Sequence, residues 1–149
     1  MEKVIYTTCK EETMALGEKM AHLLPCGSVV TLTGDLGAGK TTLVRGVAQG
    51  LHIKEVVQSP TFNIMKIYFK SDRPLIHIDA YRLADIDTDI GLDEYIGYET
   101  GLTVIEWPMY IQRLIPEGAI QVEILNKGGD NRQITISADG ELLEELNND

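Results

Sequence analysis

A cluster of glycines between two apolar runs is the feature that most restricts how this chain folds. The segment begins at Ser28 and reads SVVTLTGDLGAGKTTLVRGVAQG. Its β-branched run, residues 29–32, is typical of a buried strand. After the glycines, Gly50 is placed to end a helix whose apolar residues recur at helical spacing, at Leu43, Val47 and Leu51. A strand-to-helix turn needs fewer glycines than this, because each glycine costs backbone entropy on folding. The extra glycines therefore indicate that the loop does more than connect the strand to the helix.

The loop between the predicted strand and helix fits the phosphate-binding (Walker A) pattern G-x-x-x-x-G-K-[ST] over residues 34–41. In that pattern the backbone N–H groups turn inward and form an anion-binding nest, which a Cβ atom at the glycine positions would obstruct. Lys40 is predicted to reach the β- and γ-phosphates of a nucleotide, and the Thr41 hydroxyl to ligate Mg²⁺. The helix that begins near Lys40 would point the positive end of its dipole at the phosphates. The sequence therefore predicts a nucleotide site that uses magnesium.

Two apolar strands are predicted to end in an acidic residue, which is where phosphate-loop proteins place an acid that serves the metal. The stretch TVIE ends at Glu106, and the stretch IHID ends at Asp79. An acid at such a position holds Mg²⁺, directly or through water, or orients the attacking water. The simpler alternative for each is an acid that merely faces solvent. His77, in the middle of the second strand, is predicted to be a hydrogen-bonded core histidine rather than a catalytic one.

A Ser-Pro-Thr-Phe run follows the phosphate-loop helix and places Thr61 in a loop. Pro60 restrains Ser59 to an extended conformation. In nucleotide hydrolases, a threonine in such a loop contacts the γ-phosphate and Mg²⁺, so that the loop is ordered only when triphosphate is bound. The run is a weak motif by itself, and an ordinary turn is the alternative.

The charge of the chain argues against direct binding to DNA or RNA. Its net charge is −10, and its Lys and Arg residues are scattered. A protein that binds nucleic acid unaided usually carries a basic stripe, because phosphate contacts supply most of the affinity. No apolar N-terminal signal segment is present, and the longest uncharged stretch, residues 20–34, is too short to span a bilayer. We expect a cytoplasmic protein without membrane contact, whose 149 residues form one domain.

One stretch, residues 85–99, is strongly acidic and contains no basic residue. A solvated face is the simpler interpretation. The alternative is a docking surface for a basic partner.

The order of apolar runs and turns predicts an α/β phosphate-loop NTPase fold with three layers and a mixed sheet. Strands separated by helices predict a parallel centre, and hairpins predict antiparallel edges. Thr8 and Glu11 are a predicted capping box for the first helix. The predicted strands are residues 3–7, 29–32, 63–69, 75–79, 102–106, 121–125 and 133–137. The predicted helices are residues 11–24, the run after Lys40, a weak acidic one over 85–95, and a short one that ends near 114.

Four motifs, taken together, resemble one known family. GDLGAGKTT, SPTF, HIDAYRL and VIEW occur in this order, and they resemble the TsaE (YjeE) family over residues 4 to about 137. Members are small bacterial ATPases required for threonylcarbamoyladenosine (t6A) modification of tRNA. The resemblance implies that this chain binds and hydrolyses ATP with Mg²⁺. It also implies work with a TsaD–TsaB complex, in which TsaD performs the carbamoyl transfer and TsaE supplies ATP hydrolysis between cycles. The tRNA would be contacted only through that complex.

The resemblance also implies roles for individual residues. Thr41 and Glu106 match the magnesium ligands, Thr61 the switch-like threonine, and Asp79 a catalytic acid. Arg132 lies in a segment, residues 129–132, that loosely matches a family segment close to the nucleotide. The predicted catalytic residues are Lys40, Thr61, Asp79 and Glu106. The predicted ATP-binding residues are Gly34, Asp35, Leu36, Gly37, Ala38, Gly39, Lys40, Thr41, Thr42 and Arg132.

Other nucleotide-dependent functions compete with this interpretation. Residues 126–130, NKGGD, mimic the guanine-reading motif N-K-x-D of GTPases but contain one residue too many. A small-molecule kinase needs a basic lid, and no lid-like cluster exists among the arginines after the phosphate-loop helix, Arg73, Arg82, Arg113 and Arg132. A small-molecule kinase nevertheless stays an alternative function, and so does a nucleotide-sensing partner protein with incidental hydrolysis. Trp107 occupies the place where many ATPases have a catalytic glutamate, and no arginine finger is evident, so hydrolysis by the chain alone is expected to be slow.

Overall fold

The computed structural model describes residues 1–35, 38–55, 57, 64–69, 72–83 and 91–147. Its strands are β1 (Glu2–Thr7), β2 (Val29–Thr33), β3 (Met65–Tyr68), β4 (Leu75–Asp79), β5 (Leu102–Glu106), β6 (Ile120–Asn126) and β7 (Arg132–Ser137). Its α-helices are α1 (Lys10–Leu23), α2 (Lys40–Gly50) and α3 (Gly140–Asn147), and its 3₁₀ segments are Tyr81–Leu83, Leu92–Glu94 and Pro108–Leu114. Within these ranges, no helix has both the length and the apolar character needed to cross a bilayer.

The seven strands form one mixed sheet in the order β1-β7-β6-β2-β5-β4-β3. At its centre, β2 runs parallel to both β5 and β6, and β4 runs parallel to β5. At its edges, β3 is antiparallel to β4, and β7 is antiparallel to both β6 and β1. The predicted parallel centre with antiparallel edges is therefore confirmed.

Helices and 3₁₀ segments cover opposite faces of the sheet, which gives the predicted three layers. Side chains alternate across each strand, so neighbouring residues enter different cores. One core lies between the sheet and the α-helices and includes Leu32, Val104 and Val122 of the sheet with Met20, Leu43, Val47 and Leu143 of the helices. The other core joins Val29, Ile76 and Ile105 of the sheet to Leu83, Leu92 and Ile111 of the 3₁₀ segments. The third layer therefore consists of short 3₁₀ turns instead of full α-helices.

The cap of α1 differs from the prediction, because the helix begins one residue earlier than expected. Cys9 is the N-cap, which puts Glu12 at the third helical position, where the glutamate of a capping box stands. Glu12 Oε1 accepts hydrogen bonds from the hydroxyl of Thr8 at 2.7 Å and from its backbone N–H at 2.6 Å. Both hydrogen bonds lower the pKa of Glu12 below its usual value, and the bond from the hydroxyl has the larger effect. The assignment of this role to Glu11 was wrong.

Three further segments differ from the predicted helices. Of the weak helix expected over 85–95, the described part is one 3₁₀ turn at Leu92–Glu94, and the rest lies outside the described residues. The helix expected up to 114 is a 3₁₀ segment, with non-helical backbone at Ile111. Helix α3 was not predicted. It packs through buried Leu143 and Leu146, and Lys19 Nζ donates to the carbonyl of Leu146 at 2.9 Å.

Candidate functional site

The loop that joins β2 to α2 follows a backbone path that requires glycine. Gly34 has φ +153° and Gly39 has φ +106°, values that residues with a side chain rarely adopt. A Cβ atom on Gly34 would also lie 2.6 Å from the backbone oxygen of Ile124. Leu36 and Gly37 lie outside the described residues, so their predicted contacts with phosphate stay predictions. The backbone geometry at the two ends of the loop nevertheless explains why Gly34 and Gly39 are glycines.

The start of α2 is open to an anion. Its N-cap, Gly39, supplies no side-chain cap, and its first turn contains no acidic residue. The first N–H groups of a helix have no partner within the helix, and its dipole favours negative charge there. Thr41 and Thr42 lie half-buried in this first turn. A helix start of this kind is suited to bind phosphate.

Lys40 lies over an aromatic ring at the end of β5. Its ammonium nitrogen is 4.1 Å from the centroid of the Trp107 ring, and the lysine is only 6% exposed. The Trp107 ring in turn contacts Tyr81, at 5.1 Å between centroids, and Tyr110, at 6.4 Å. The cation–π contact is strengthened by this burial. The lysine of the phosphate loop and the end of β5 therefore meet directly.

The backbone of Trp107 is what turns its ring toward Lys40. Trp107 has φ +58° and ψ +51° and precedes Pro108. The left-handed conformation is unfavourable for a bulky residue and costs of order 1–3 kcal/mol. A backbone strained in this way persists only where the surrounding packing fixes it, and such positions concentrate at functional sites.

The two candidate acids lie side by side at the end of the parallel strands. Leu32 of β2 pairs with Glu106 of β5, and Glu106 pairs with Asp79 of β4. The loop leaves β2 just beyond this row. Glu106 is 4% exposed and Asp79 is 5% exposed, so the alternative in which these acids face solvent is excluded. Both acids lie on the sheet face that carries Leu75 and Val104, which belong to the core between the sheet and the α-helices.

Each acid has a specific partner. Asp79 Oδ1 accepts the backbone N–H of Tyr81 at 3.0 Å. Glu106 Oε2 lies 2.6 Å from Nε2 of His77. The expected core histidine is therefore hydrogen-bonded, as predicted, but its partner is the candidate metal ligand. The sequence signal for this contact was the alternation of side chains in the run HIDA, which places His77 on the same face of β4 as Asp79.

Arg132 ties the phosphate loop to the turn between β6 and β7. Its Nε donates to the carbonyl of Ala38 at 2.6 Å. Its Nη1 donates within the turn to the carbonyls of Gly129 and Asn131 and to Oδ1 of Asn126, at 2.7, 2.9 and 3.2 Å. The family resemblance implied that Arg132 lies near the nucleotide but did not indicate this anchoring contact. A planar guanidinium can make these bonds together.

We expect Arg132→Lys to weaken nucleotide binding by about 10- to 100-fold, because charged hydrogen bonds of this kind contribute about 1.5–3 kcal/mol. Lysine keeps the charge but lacks the planar fork, so the substitution tests the geometry alone. Titration of both proteins with Mg·ATP measures the effect, and Arg113→Lys, at an exposed position, is the matched control. Equal affinities in the two variants would remove Arg132 from the site.

A crevice of about 30 Å³ borders the loop and marks one side of the candidate site. It joins the starts of α1 and α2 to the β6–β7 turn, and its lining residues are Lys10, Thr13, Gly39, Thr42, Asp130 and Arg132. Two cavities are larger. One of about 340 Å³ adjoins the sheet face opposite α2, beside Thr31 and Gln121, and reaches Thr33 and Pro108 near the strand ends. One of about 430 Å³ lies beside α3.

The donor set at the strand ends suits magnesium that arrives with a nucleotide. The hydroxyl of Thr41 and the carboxylates of Glu106 and Asp79 are hard oxygen donors, which Mg²⁺ prefers. Within the described residues, no group of three or more His, Cys, Asp or Glu side chains could enclose a metal ion. Mg²⁺ is commonly held by one or two carboxylates together with substrate phosphates and water. The residues therefore fit a metal shared with phosphates and do not fit an all-protein cage.

The structure thus brings together Gly34, Gly39, Lys40, Asp79, Glu106 and Arg132, with Thr41 and Thr42 beside them. Thr61 lies outside the described residues, as do Leu36 and Gly37, so its switch-like role stays a prediction.

Comparison with known proteins identifies the family. The family model for threonylcarbamoyl adenosine biosynthesis protein TsaE matches residues 7–134. A protein of Bacillus subtilis (strain 168), tRNA threonylcarbamoyladenosine biosynthesis protein TsaE, is 44% identical over 140 residues, covering 94% of this chain and 88% of that protein. The protein of the same name from Treponema pallidum is 40% identical over 129 residues, covering 85% and 94% respectively.

Comparison of folds agrees with the sequence matches. The crystal structure of Bacillus subtilis YdiB superposes with a TM-score of 0.82 at 37% identity, over 99% of this chain and 95% of that one. The predicted resemblance is therefore confirmed, and the chain belongs to the TsaE family of threonylcarbamoyl adenosine biosynthesis proteins.

Proposed function

We propose that this chain is a phosphate-loop ATPase that binds ATP with Mg²⁺ and serves t6A modification of tRNA together with a TsaD–TsaB complex. The observation that supports this most is the contact between Lys40 and Trp107. It places the one cation that the loop motif aims at phosphates over the residue that follows Glu106. The predicted phosphate-binding and metal-binding groups therefore share one location.

Each side chain has a defined task in this proposal. Lys40 and the first N–H groups of α2 would bind the phosphates, while Thr41 and Glu106 would hold Mg²⁺. When bound, Mg²⁺ would neutralise part of the negative charge of the phosphates. Asp79, fixed by the N–H of Tyr81, orients the attacking water. The water oxygen bonds to the γ-phosphorus and gives up one proton, the bond from that phosphorus to the bridging oxygen breaks, and ADP, inorganic phosphate and the proton leave.

Water is the acceptor in this proposal, and a small-molecule kinase is the alternative. A kinase would need an acceptor pocket beside the γ-phosphate. ADP release that requires an added acceptor would revive the kinase alternative.

Intrinsic fluorescence tests the proposed site, because Trp107 is the only tryptophan. We expect ATP or ADP with Mg²⁺ to draw Lys40 toward the phosphates and so change the emission of Trp107. Glu106→Ala is expected to weaken the dependence of binding on magnesium, whereas Glu117→Ala, at an exposed position, is expected to keep it. No change in emission with any nucleotide would oppose the proposal. A magnesium response that is identical in wild type and Glu106→Ala would assign the metal to Asp79 instead.

A further inference from the structure

His77 occupies a position where folding alone favours an apolar residue. It lies in the middle of β4, is 0% exposed, and has fully buried apolar neighbours on the strand, Ile76 and Ile78. Its Nδ1 has no hydrogen-bond partner within the described part of the chain. An unpaired buried polar atom is destabilising, and an aliphatic side chain in the same strand would avoid it. The histidine therefore has a task other than filling the core.

The sheet register aims His77 at one particular carboxylate. Asp79 pairs with Glu106 and His77 pairs with Val104, so His77 and Glu106 are diagonal neighbours on the same face of two parallel strands. Nε2 and Oε2 are 2.6 Å apart, and both side chains are buried. Because a carboxylate oxygen can only accept, the proton of this hydrogen bond lies on Nε2.

We propose that His77 is a positioning residue for magnesium: its Nε2–H fixes the Glu106 carboxylate through Oε2 and leaves Oε1 as the ligand atom. This inference rests on the proposed role of Glu106 as a metal ligand. Without the hydrogen bond, the carboxylate rotates between orientations, and its ordering must then accompany metal binding. Ligating carboxylates are commonly held by such partners, whose loss lowers metal affinity or activity by about 10- to 100-fold.

Two amide substitutions separate this role from simple packing. The amide nitrogen of His77→Gln reaches about as far as Nε2, whereas that of His77→Asn is one methylene shorter and does not reach Glu106. The readout is the magnesium gain, defined as the ratio of the ATP dissociation constants in EDTA and in Mg²⁺, measured by calorimetry. Thr103→Val is the matched control, because the Thr103 hydroxyl is also buried in the sheet but accepts the N–H of Gly97 on the opposite face.

We expect His77→Asn to lower the magnesium gain by about 10- to 100-fold with little change in affinity in EDTA. His77→Gln is expected to retain most of the gain, and Thr103→Val all of it. In a Glu106→Ala background, His77→Asn is expected to cause no further loss, because the two residues act through one contact. If His77→Asn does not fold, His77→Leu takes its place, since leucine fits an apolar strand.

Several results would overturn the inference. They are a wild-type magnesium gain in His77→Asn, equal losses in the Asn and Gln variants, and an additional loss in the Glu106→Ala background. A wild-type protein without any magnesium gain, or a Glu106→Ala protein that keeps it, overturns the metal assignment of the proposed function and the inference with it. When wild type and Glu106→Ala behave as expected, a failure of the His77 comparison overturns the inference alone.

Discussion

The Lys40→Ala variant is expected to fold and to lose ATP hydrolysis by about 100- to 1,000-fold, the usual effect of removing one preorganised group that stabilises transition-state charge. Lys40 lies at the first position of α2, where alanine is compatible with the helix. Its ammonium is the only side-chain cation that the loop motif directs at the phosphates. The loss should therefore appear in phosphate release while circular dichroism and the thermal unfolding transition remain those of a folded protein.

Lys54→Ala is the matched control, because Lys54 is exposed and has no place in the proposed site. It should hydrolyse ATP at the wild-type rate. The Lys40→Ala protein should also show altered Trp107 emission before any nucleotide is added, since the cation over the ring is gone. A folded Lys40→Ala protein with unchanged hydrolysis would contradict the phosphate-loop assignment.

Hydrolysis by the isolated chain is expected to be slow and to rise when TsaD–TsaB is added. Each described arginine side chain is held by backbone carbonyls, as Arg132 is at the phosphate loop, or exposed, as Arg113 is. Arg73 donates to the carbonyls of Ala21 and Leu24, and Arg45 donates to that of Val57. An arginine finger contributes about 10³–10⁵ in rate, so a site without one turns over slowly. A partner that supplies a cation, or that fixes Thr61 and Asp79, would raise turnover measured as phosphate released per site at saturating ATP.

The acidic stretch over 85–99 provides the means to locate the partner. Asp93 and Glu94 are exposed in the 3₁₀ layer, and reversing both charges to lysine is expected to reduce stimulation more than basal turnover. The control reverses Glu144 and Glu145, which are exposed on α3. Equal stimulation of both double variants would remove this stretch as the docking surface. An isolated protein that already hydrolyses ATP as fast as the assembled one would contradict partner activation altogether.

The sequence predicts the central strands and their acidic ends well, for a simple physical reason. β4 and β5 are short, mostly apolar runs in which every residue is buried, and such runs have few alternatives to a central parallel strand. Both end at the predicted acid, Asp79 or Glu106. Because the carboxyl ends of neighbouring parallel strands meet at one edge of the sheet, these two acids come together, and the register pairs them directly.

Features that depend on tertiary packing were not predictable in the same way. Left-handed backbone at a tryptophan before proline is locally unfavourable, so no pattern indicates that Trp107 turns its ring onto Lys40. Arg132 acts through a carbonyl of a distant loop, a contact that spacing along the chain does not reveal. Helix α3 is short, and helices of this length depend on packing against other elements more than on their own propensity.

The most direct test of the central claim counts rounds of t6A formation in a reconstituted reaction that contains TsaD, TsaB, tRNA, the threonylcarbamoyl donor, ATP with Mg²⁺ and this chain. If ATP bound at the loop is hydrolysed between cycles, the wild-type chain and Lys54→Ala should sustain many rounds per TsaD molecule. Lys40→Ala should stop after a single round. A Lys40→Ala protein that is folded and sustains as many rounds as the wild type would contradict the claim that ATP hydrolysis at this site serves the modification.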